Sequence, residues 1–201
     1  MLVSMQAGLQ SLRRTPPAVL TYATWNPSDK NAGITLSNGN LTAAGAVGVR
    51  ATISKSSGKW YWEVNCDTRG SANSMEIGVA TGSVSLASRL GTFTGAWIWR
   101  SDSTYVEQTN STSGITFTTG DRIMIAIDLG AGKVWFGKNG TWNASGDPGA
   151  GTNPIFTTLS GTVFPAMSVQ NSTGSPQATA NFGATTLTYS VPSGFNSGVY
   201  S

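Results

Sequence analysis

Residues 132–139, GKVWFGKN, decide how the rest of this chain is read. They stop one residue short of a phosphate-binding loop. That loop needs G-x-x-x-x-G-K followed by Ser or Thr, whose hydroxyl binds Mg²⁺. Gly132, Gly137 and Lys138 are in place, but Asn139 stands where the hydroxyl should be. A phosphate loop also opens a helix, whose first N–H groups hold the phosphates. Here the four variable residues, Lys133, Val134, Trp135 and Phe136, favour strands. Asn139-Gly140 follows, a strong hairpin signal, and Gly146, Pro148 and Gly149 then exclude a helix. The stretch reads as a strand, a type I′ turn and a second strand. Val134 and Phe136 share one face and Lys133 and Trp135 the other. Lys138 is expected to be a solvated residue at the mouth of the turn.

The same grammar extends in both directions. Residues 122–129, RIMIAIDL, put Ile123, Ile125, Ile127 and Leu129 on one face and Met124, Ala126 and Asp128 on the other. Further short strands are expected at 19–24, 34–36, 41–43, 59–66, 75–80, 95–100, 163–170 and 177–182, with 104–108 as an edge strand. Asn38-Gly39 marks another hairpin turn. Gly78 leaves room for a close neighbour. Roughly a dozen short strands, punctuated by turns and with no central helix, predict an all-β antiparallel sandwich rather than an α/β fold. The expected layout is an extension over residues 1–17 and one sandwich domain over 18–201. Within the extension, residues 4–14 can form a short helix. Met5, Leu9 and Leu12 share its face, and Arg13 and Arg14 suit its C-terminal end. So short a helix does not hold alone in water, so it reads as a frayed tail or as an anchor ordered by a partner.

Composition narrows function by elimination. Charged residues make up 10% of the chain, against roughly 25% in an ordinary soluble domain. Without Arg13 and Arg14, ten basic residues face nine acidic ones, scattered singly. No basic stripe with interleaved aromatics is present, which argues against nucleic acid. No apolar run is long enough to span a bilayer as a helix. The arginines follow the weakly apolar start, the reverse of a signal peptide. The five Asn-x-Ser/Thr sequons, at Asn40, Asn110, Asn139, Asn143 and Asn171, are therefore expected to be unmodified. The chain has no histidine and one cysteine, Cys66. That removes the usual Ser and Cys triads, an intrachain disulfide and most zinc sites, and no calcium loop or cofactor motif appears. Cys66 reads as a small buried apolar residue. Glu63 and Glu76, on neighbouring expected strands, could form a glycosidase pair, although Glu63 is expected to point outward. The strand tryptophans Trp60, Trp62, Trp97, Trp99 and Trp135 read as packing. Trp142, just past the hairpin turn, is the best candidate for an exposed ligand platform.

Seven motifs then occur in order: WNPSDK (25–30), SSGKWYWEV (56–64), IGVA (77–80), AWIW (96–99), IAIDLGAGKVWFGKNG (125–140), FPAMS (164–168) and NFG (181–183). Together they resemble the SPRY family, the core of B30.2 domains, over roughly residues 20–183. The resemblance implies a bent, concanavalin-like sandwich of two antiparallel sheets. It also implies a binding module that meets partners through loops at one end, without catalytic apparatus. Matched against peptide-binding members, it implies partner contacts from Arg50 in GVRAT, from Tyr105 after the Trp-x-Trp strand, and from Val169, Gln170 and Asn171. The chain departs from that pattern in the last loop, where VQNSTGSP is small and polar instead of aromatic. Such a loop suits a sugar or a neighbouring subunit.

The low charge and the abundance of Gly, Ser, Thr and Asn resemble SPRY-like domains of phage structural proteins. The leading expectation is a non-enzymatic virion protein, displayed on the particle as a tail fibre or decoration. Residues 1–17 would attach it to other virion proteins or sister copies, and the sandwich would face host glycan or protein. The alternatives are an intracellular peptide-binding adaptor and a glycan-active enzyme.

Overall fold

The computed structural model describes residues 19–71, 74–107, 110–170 and 174–201. The proposed anchor residues Met5, Leu9, Leu12, Arg13 and Arg14 lie outside the described residues, as does Asn171. Fifteen strands occur among the described residues: β1 (Trp25–Lys30), β2 (Ile34–Ser37), β3 (Thr42–Gly45), β4 (Val47–Ala51), β5 (Lys59–Thr68), β6 (Met75–Thr81), β7 (Ala96–Arg100), β8 (Thr104–Glu107), β9 (Asn110–Ser113), β10 (Arg122–Asp128), β11 (Lys133–Lys138), β12 (Thr141–Trp142), β13 (Val163–Val169), β14 (Gln177–Asn181) and β15 (Asn196–Ser197). Their only helical pieces are short 3-10 turns at Leu90–Thr92 and Asn143–Ser145. The strands form two antiparallel sheets. One runs β1-β4-β13-β6-β7-β8-β9. The other runs β12-β11-β10-β5-β14-β3-β2, and β15 joins β5 in parallel.

The period-two pattern sets the register. Ile125 lies opposite both Trp62 and Phe136, so three apolar residues cross the second sheet on its inner face. Ile123, Ile127, Val64 and Val134 line the same face. Ile77, Val79, Trp97, Trp99, Met167 and Val169 meet them from the first sheet. Trp99 packs edge-on against Phe117 at 5.0 Å between ring centroids, a geometry aromatic pairs favour. Gly78 lies against the β7 backbone, where a Cβ would collide with the Trp97 carbonyl. Cys66 is fully buried, and burial pushes its thiol pKa up to about 12.

The opening stretch forms β11 with the faces expected of it: Val134 and Phe136 enter the main core, and Trp135 faces outward. Asn139 and Gly140 have φ of 52° and 87°, the positive pair a type I′ turn requires. Lys138 is not merely solvated. Its Nζ donates to the Thr116 carbonyl at 2.9 Å and lies 3.6 Å from Asp121, tying the turn to the β9–β10 connection.

Two strand expectations need correction. Residues 19–24 form no strand beyond a bridge from Tyr22 to Tyr200. The first strand is WNPSDK, on the sheet edge where Pro27 costs no ladder bond. Residues 104–107 are not an edge, because β9 pairs with them although its sequence, NSTS, carries no apolar alternation.

Each outer face is crossed by a strap. Residues 82–95, between β6 and β7, cross the first sheet. Their Val84, Leu86, Leu90 and Phe93 pack on Ala80, Ile98, Val106 and Ala166. The C-terminal segment crosses the second sheet, laying Leu187, Tyr189, Val191 and Phe195 on Tyr61, Met124, Ala126 and Trp135.

Candidate functional site

The loops at one end of the sandwich are bound to one another. The Gln170 N–H donates to the Ser74 carbonyl at 2.6 Å, joining the β13–β14 and β5–β6 loops. The Arg69 N–H donates to Thr119 Oγ1 at 3.0 Å, adding the β9–β10 loop. The Gly114 N–H reaches the Ser103 carbonyl at 2.7 Å, bringing in the β7–β8 turn. The Gly48 N–H donates to the Leu86 carbonyl at 3.0 Å, which adds the strap over the first sheet.

The residues expected to contact a partner do not meet there as an open site. Arg50 is 7% exposed. Its Nε and Nη2 hold Asp29 at 2.7 and 2.9 Å, and its Nη1 donates to the Val84 carbonyl at 2.6 Å. Every arm of the guanidinium is used inside the fold, so Arg50 pins β1 and the strap rather than offering donors outward. Tyr105 is a core residue, its ring stacked on Phe136 at 6.1 Å and tilted against Trp99. Burial raises the pKa of its hydroxyl. Val169 is also buried in the core. Gln170 is exposed, and its side-chain oxygen accepts from Arg89 at 3.1 Å. Trp142 is half-buried against Tyr61 instead of exposed, at 6.1 Å between centroids.

The two carboxylates do not form a pair. Glu76 lies on β6 of the first sheet and Glu63 on β5 of the second, each on the outward side, with the core between them. Neither is exposed. Glu63 does point away from the core, as alternation requires, but the C-terminal segment buries it. Glu76 Oε1 accepts from Arg89 Nε at 3.0 Å and Arg100 Nε at 2.9 Å. Its Oε2 accepts from the Ser168 hydroxyl at 2.7 Å and the Gly91 N–H at 3.1 Å. Glu63 accepts from the Tyr61 hydroxyl at 2.9 Å and from the N–H groups of Thr188 and Tyr189 at 3.0 and 2.8 Å. Arg122 lies 3.6 Å away. Burial, followed by the charge of Glu63, raises the pKa of Tyr61, so it stays a hydrogen-bond donor. Each carboxylate accepts backbone N–H groups of the strap that covers it, Gly91 for Glu76 and Thr188 and Tyr189 for Glu63.

Sequence reasoning missed Arg89, Arg100, Asp29 and Ser168. Arg100 stands directly opposite Glu76 across β6 and β7, and Ser168 opposite it across β6 and β13. Those relations exist only once the strands are paired. Among the described residues no group of three or more His, Cys, Asp or Glu is placed to hold a metal ion.

A profile of the SPRY domain matches residues 59–185. The chain belongs to the SPRY domain family. Its curated relatives include Ran-binding protein 9 of Xenopus tropicalis, 28% identical over 194 residues, covering 90% of this chain and 33% of that protein. Ran-binding protein 9 of Danio rerio is 30% identical over 193 residues, covering 87% of this chain and 30% of that protein. The chain thus spans about a third of the length of these relatives. Among solved structures, the SPRY domain of human HERC1 superposes with a TM-score of 0.63 at 17% identity, covering 78% of this chain and 96% of that one. The TRIM65 PSpry domain gives 0.60 at 17% identity, covering 80% and 92%. These likenesses agree with the two-sheet sandwich, and SPRY domains generally serve as protein-interaction modules.

Proposed function

We propose that the chain is a non-catalytic recognition module that receives a partner protein on the linked loop end. The observation that carries this reading is the set of hydrogen bonds that joins the described residues of these loops, Gln170 to Ser74, Arg69 to Thr119 and Gly114 to Ser103. Preordering lowers the entropy lost when a partner binds. The name of the relatives, Ran-binding protein 9, supports a protein partner. Tyr105 and Val169 lie in the core behind this loop end, Arg50 holds β1 to the strap, and Gln170 and Ser71 are exposed on the loops. The test is selection from a displayed random-peptide library, followed by affinity measurement. Ser71→Arg and Gln170→Arg should weaken the selected binders at least tenfold, while Ser160→Arg, in the β12–β13 connection, should not. Peptides that bind both loop variants as well as they bind wild type overturn the proposal.

A second reading concerns where the module works. The 10% charge content and the abundance of Gly, with 25 residues, favour display on a virus particle through residues 1–17. Co-purification with intact particles, lost on deletion of residues 1–17, would support it. Normal assembly of the deleted form would end it.

A further inference from the structure

The C-terminal strap covers only part of the second sheet's outer face. The apolar part, Tyr61, Met124, Ala126 and Trp135, lies beneath it. Beside the first residues of the strap, the face turns polar and is left open as a concavity of about 510 Å³. That volume falls within the ~300–1,000 Å³ of ordinary ligand sites. Its floor is Asn65 and Asp67 of β5 with Thr179 and Asn181 of β14. Arg122 stands at one edge and Thr186 of the strap forms a wall.

The lining is ordered by its own hydrogen bonds. The Thr179 hydroxyl donates to Asp67 Oδ2 at 2.6 Å and lies 2.7 Å from the Thr42 hydroxyl. The Asn65 amide donates to Asp67 Oδ1. Asn181 Nδ2 holds the Thr186 carbonyl at 3.0 Å, fixing the wall to the floor. Asp67 takes only neutral donors among the described residues. Arg122 is committed to Glu63 on one side only, and its side chain is 30% exposed. The arrangement offers a carboxylate, carboxamides, hydroxyls and a guanidinium, spaced over adjacent strands and already immobilised.

We propose that this concavity is a binding site for a neutral carbohydrate. Vicinal hydroxyls both donate and accept, and this lining supplies the complement: Asp67 accepts, Arg122 donates, and the Asn and Thr side chains do both. An anionic ligand is disfavoured, because Glu63 already offsets Arg122 and Asp67 adds a negative charge. A peptide is disfavoured because Leu41 is the only apolar side chain in the lining, Ala180 turning its methyl into the main core, and this is too little to seat an anchor residue. The site lies on a sheet face and does not depend on the loop-end reading.

The experiment uses the full chain on a panel of neutral oligosaccharides beside sialylated and sulfated ones. Calorimetry on the strongest neutral binder follows. Neutral glycans should bind and acidic ones should not. Asp67→Ala and Thr186→Leu should each weaken binding at least tenfold, while Ser71→Arg and Gln170→Arg leave it unchanged. Thr186 is exposed, so its variant carries the test should Asp67→Ala fail to fold. No neutral glycan bound above an inert control overturns the proposal. So does binding that survives Thr186→Leu unchanged, or a preference for acidic glycans.

Discussion

The two outer faces of the sandwich solve one problem in different ways. Each is crossed by a strap whose backbone N–H groups need partners, and each supplies a buried carboxylate from a central strand. On the first face Glu76 is met mainly by charge, with Arg89 at 3.0 Å and Arg100 at 2.8 Å. On the second, Glu63 is met mainly by neutral donors, and its arginine is farther off, at 3.6 Å. The first strap is tethered at both ends by β6 and β7, and a single backbone N–H, that of Gly91, reaches its carboxylate. The second follows β14 and is joined to β5 through β15. It has two N–H bonds, four apolar side chains, and the return of Val199 into the main core. Both straps are held along their length, the first by Arg50 on the Val84 carbonyl, Gly48 on the Leu86 carbonyl and Ser168 on the Leu90 N–H as well; what differs is the charge that meets each carboxylate.

The largest expected effect breaks the second face outright. Ending the chain after Ala184 removes Val199 and uncovers Tyr61 and Trp135. That loss should consume most of a net stability of ~5–15 kcal/mol. A thermal melt followed by circular dichroism should lose its cooperative transition. A shortened chain that melts like the full one shows that the strap is dispensable.

The next effect separates the two carboxylates. Glu76→Gln leaves two arginines without their anion and should cost about 3–5 kcal/mol. Glu63→Gln keeps an acceptor for one strap N–H and should cost about 1–3 kcal/mol. Urea titrations of both variants decide it. Equal losses would mean that charge and neutral donors do equivalent work here.

Arg50→Ala tests the entry to the first strap. It frees the Val84 carbonyl and leaves Asp29 without its cation. The expected loss is about 2 kcal/mol, less than for a fully buried pair, because the Asp29 side chain is a third exposed and can rehydrate. The same urea titration reads it. An unchanged midpoint, together with a loss of peptide binding, would return Arg50 to the role that family resemblance implies.

The sandwich was legible because its central strands alternate. Residues 122–129 and 132–139 fixed both faces of two adjacent strands, and the Asn139-Gly140 turn fixed their connection. The straps were not legible in the same way. Leu187, Tyr189 and Val191 do alternate, but they form no strand, and the alternation gains meaning only from the face they cover. Glu63 shows the limit most clearly: alternation correctly sent it away from the core, and nothing local indicated that the chain would return 125 positions later to bury it. Arg50 and Tyr105 matched the family pattern in position, but their exposure depends on Asp29 and Phe136, which lie on other strands. The polar concavity was foreshadowed only by composition, since Asn65, Asp67, Thr179 and Asn181 come together through the pairing of β5 with β14.

The smallest effect concerns a third carboxylate on the second face, beyond the part the strap protects through Glu63. Asp128 lies 3.1 Å from Lys59, and its Oδ1 accepts the Ala131 N–H at 3.0 Å. Burial alone would raise its pKa. The Ala131 N–H and Lys59, with a further N–H from Gly130, outweigh burial and leave it below the ordinary 3.8. A carboxyl with a lowered folded pKa binds its proton less readily folded than unfolded. Its contribution is therefore fully present above about pH 4 and is lost as the pH falls through the folded value. Lys59 is 41% exposed, so the contribution should stay below about 1 kcal/mol. Stability measured by urea titration from pH 6 to pH 2.5 should fall less steeply below pH 4 in Asp128→Asn than in wild type. Parallel curves would show that the acid sensitivity of this face resides elsewhere, and would remove Asp128 from the groups that distinguish it from the first.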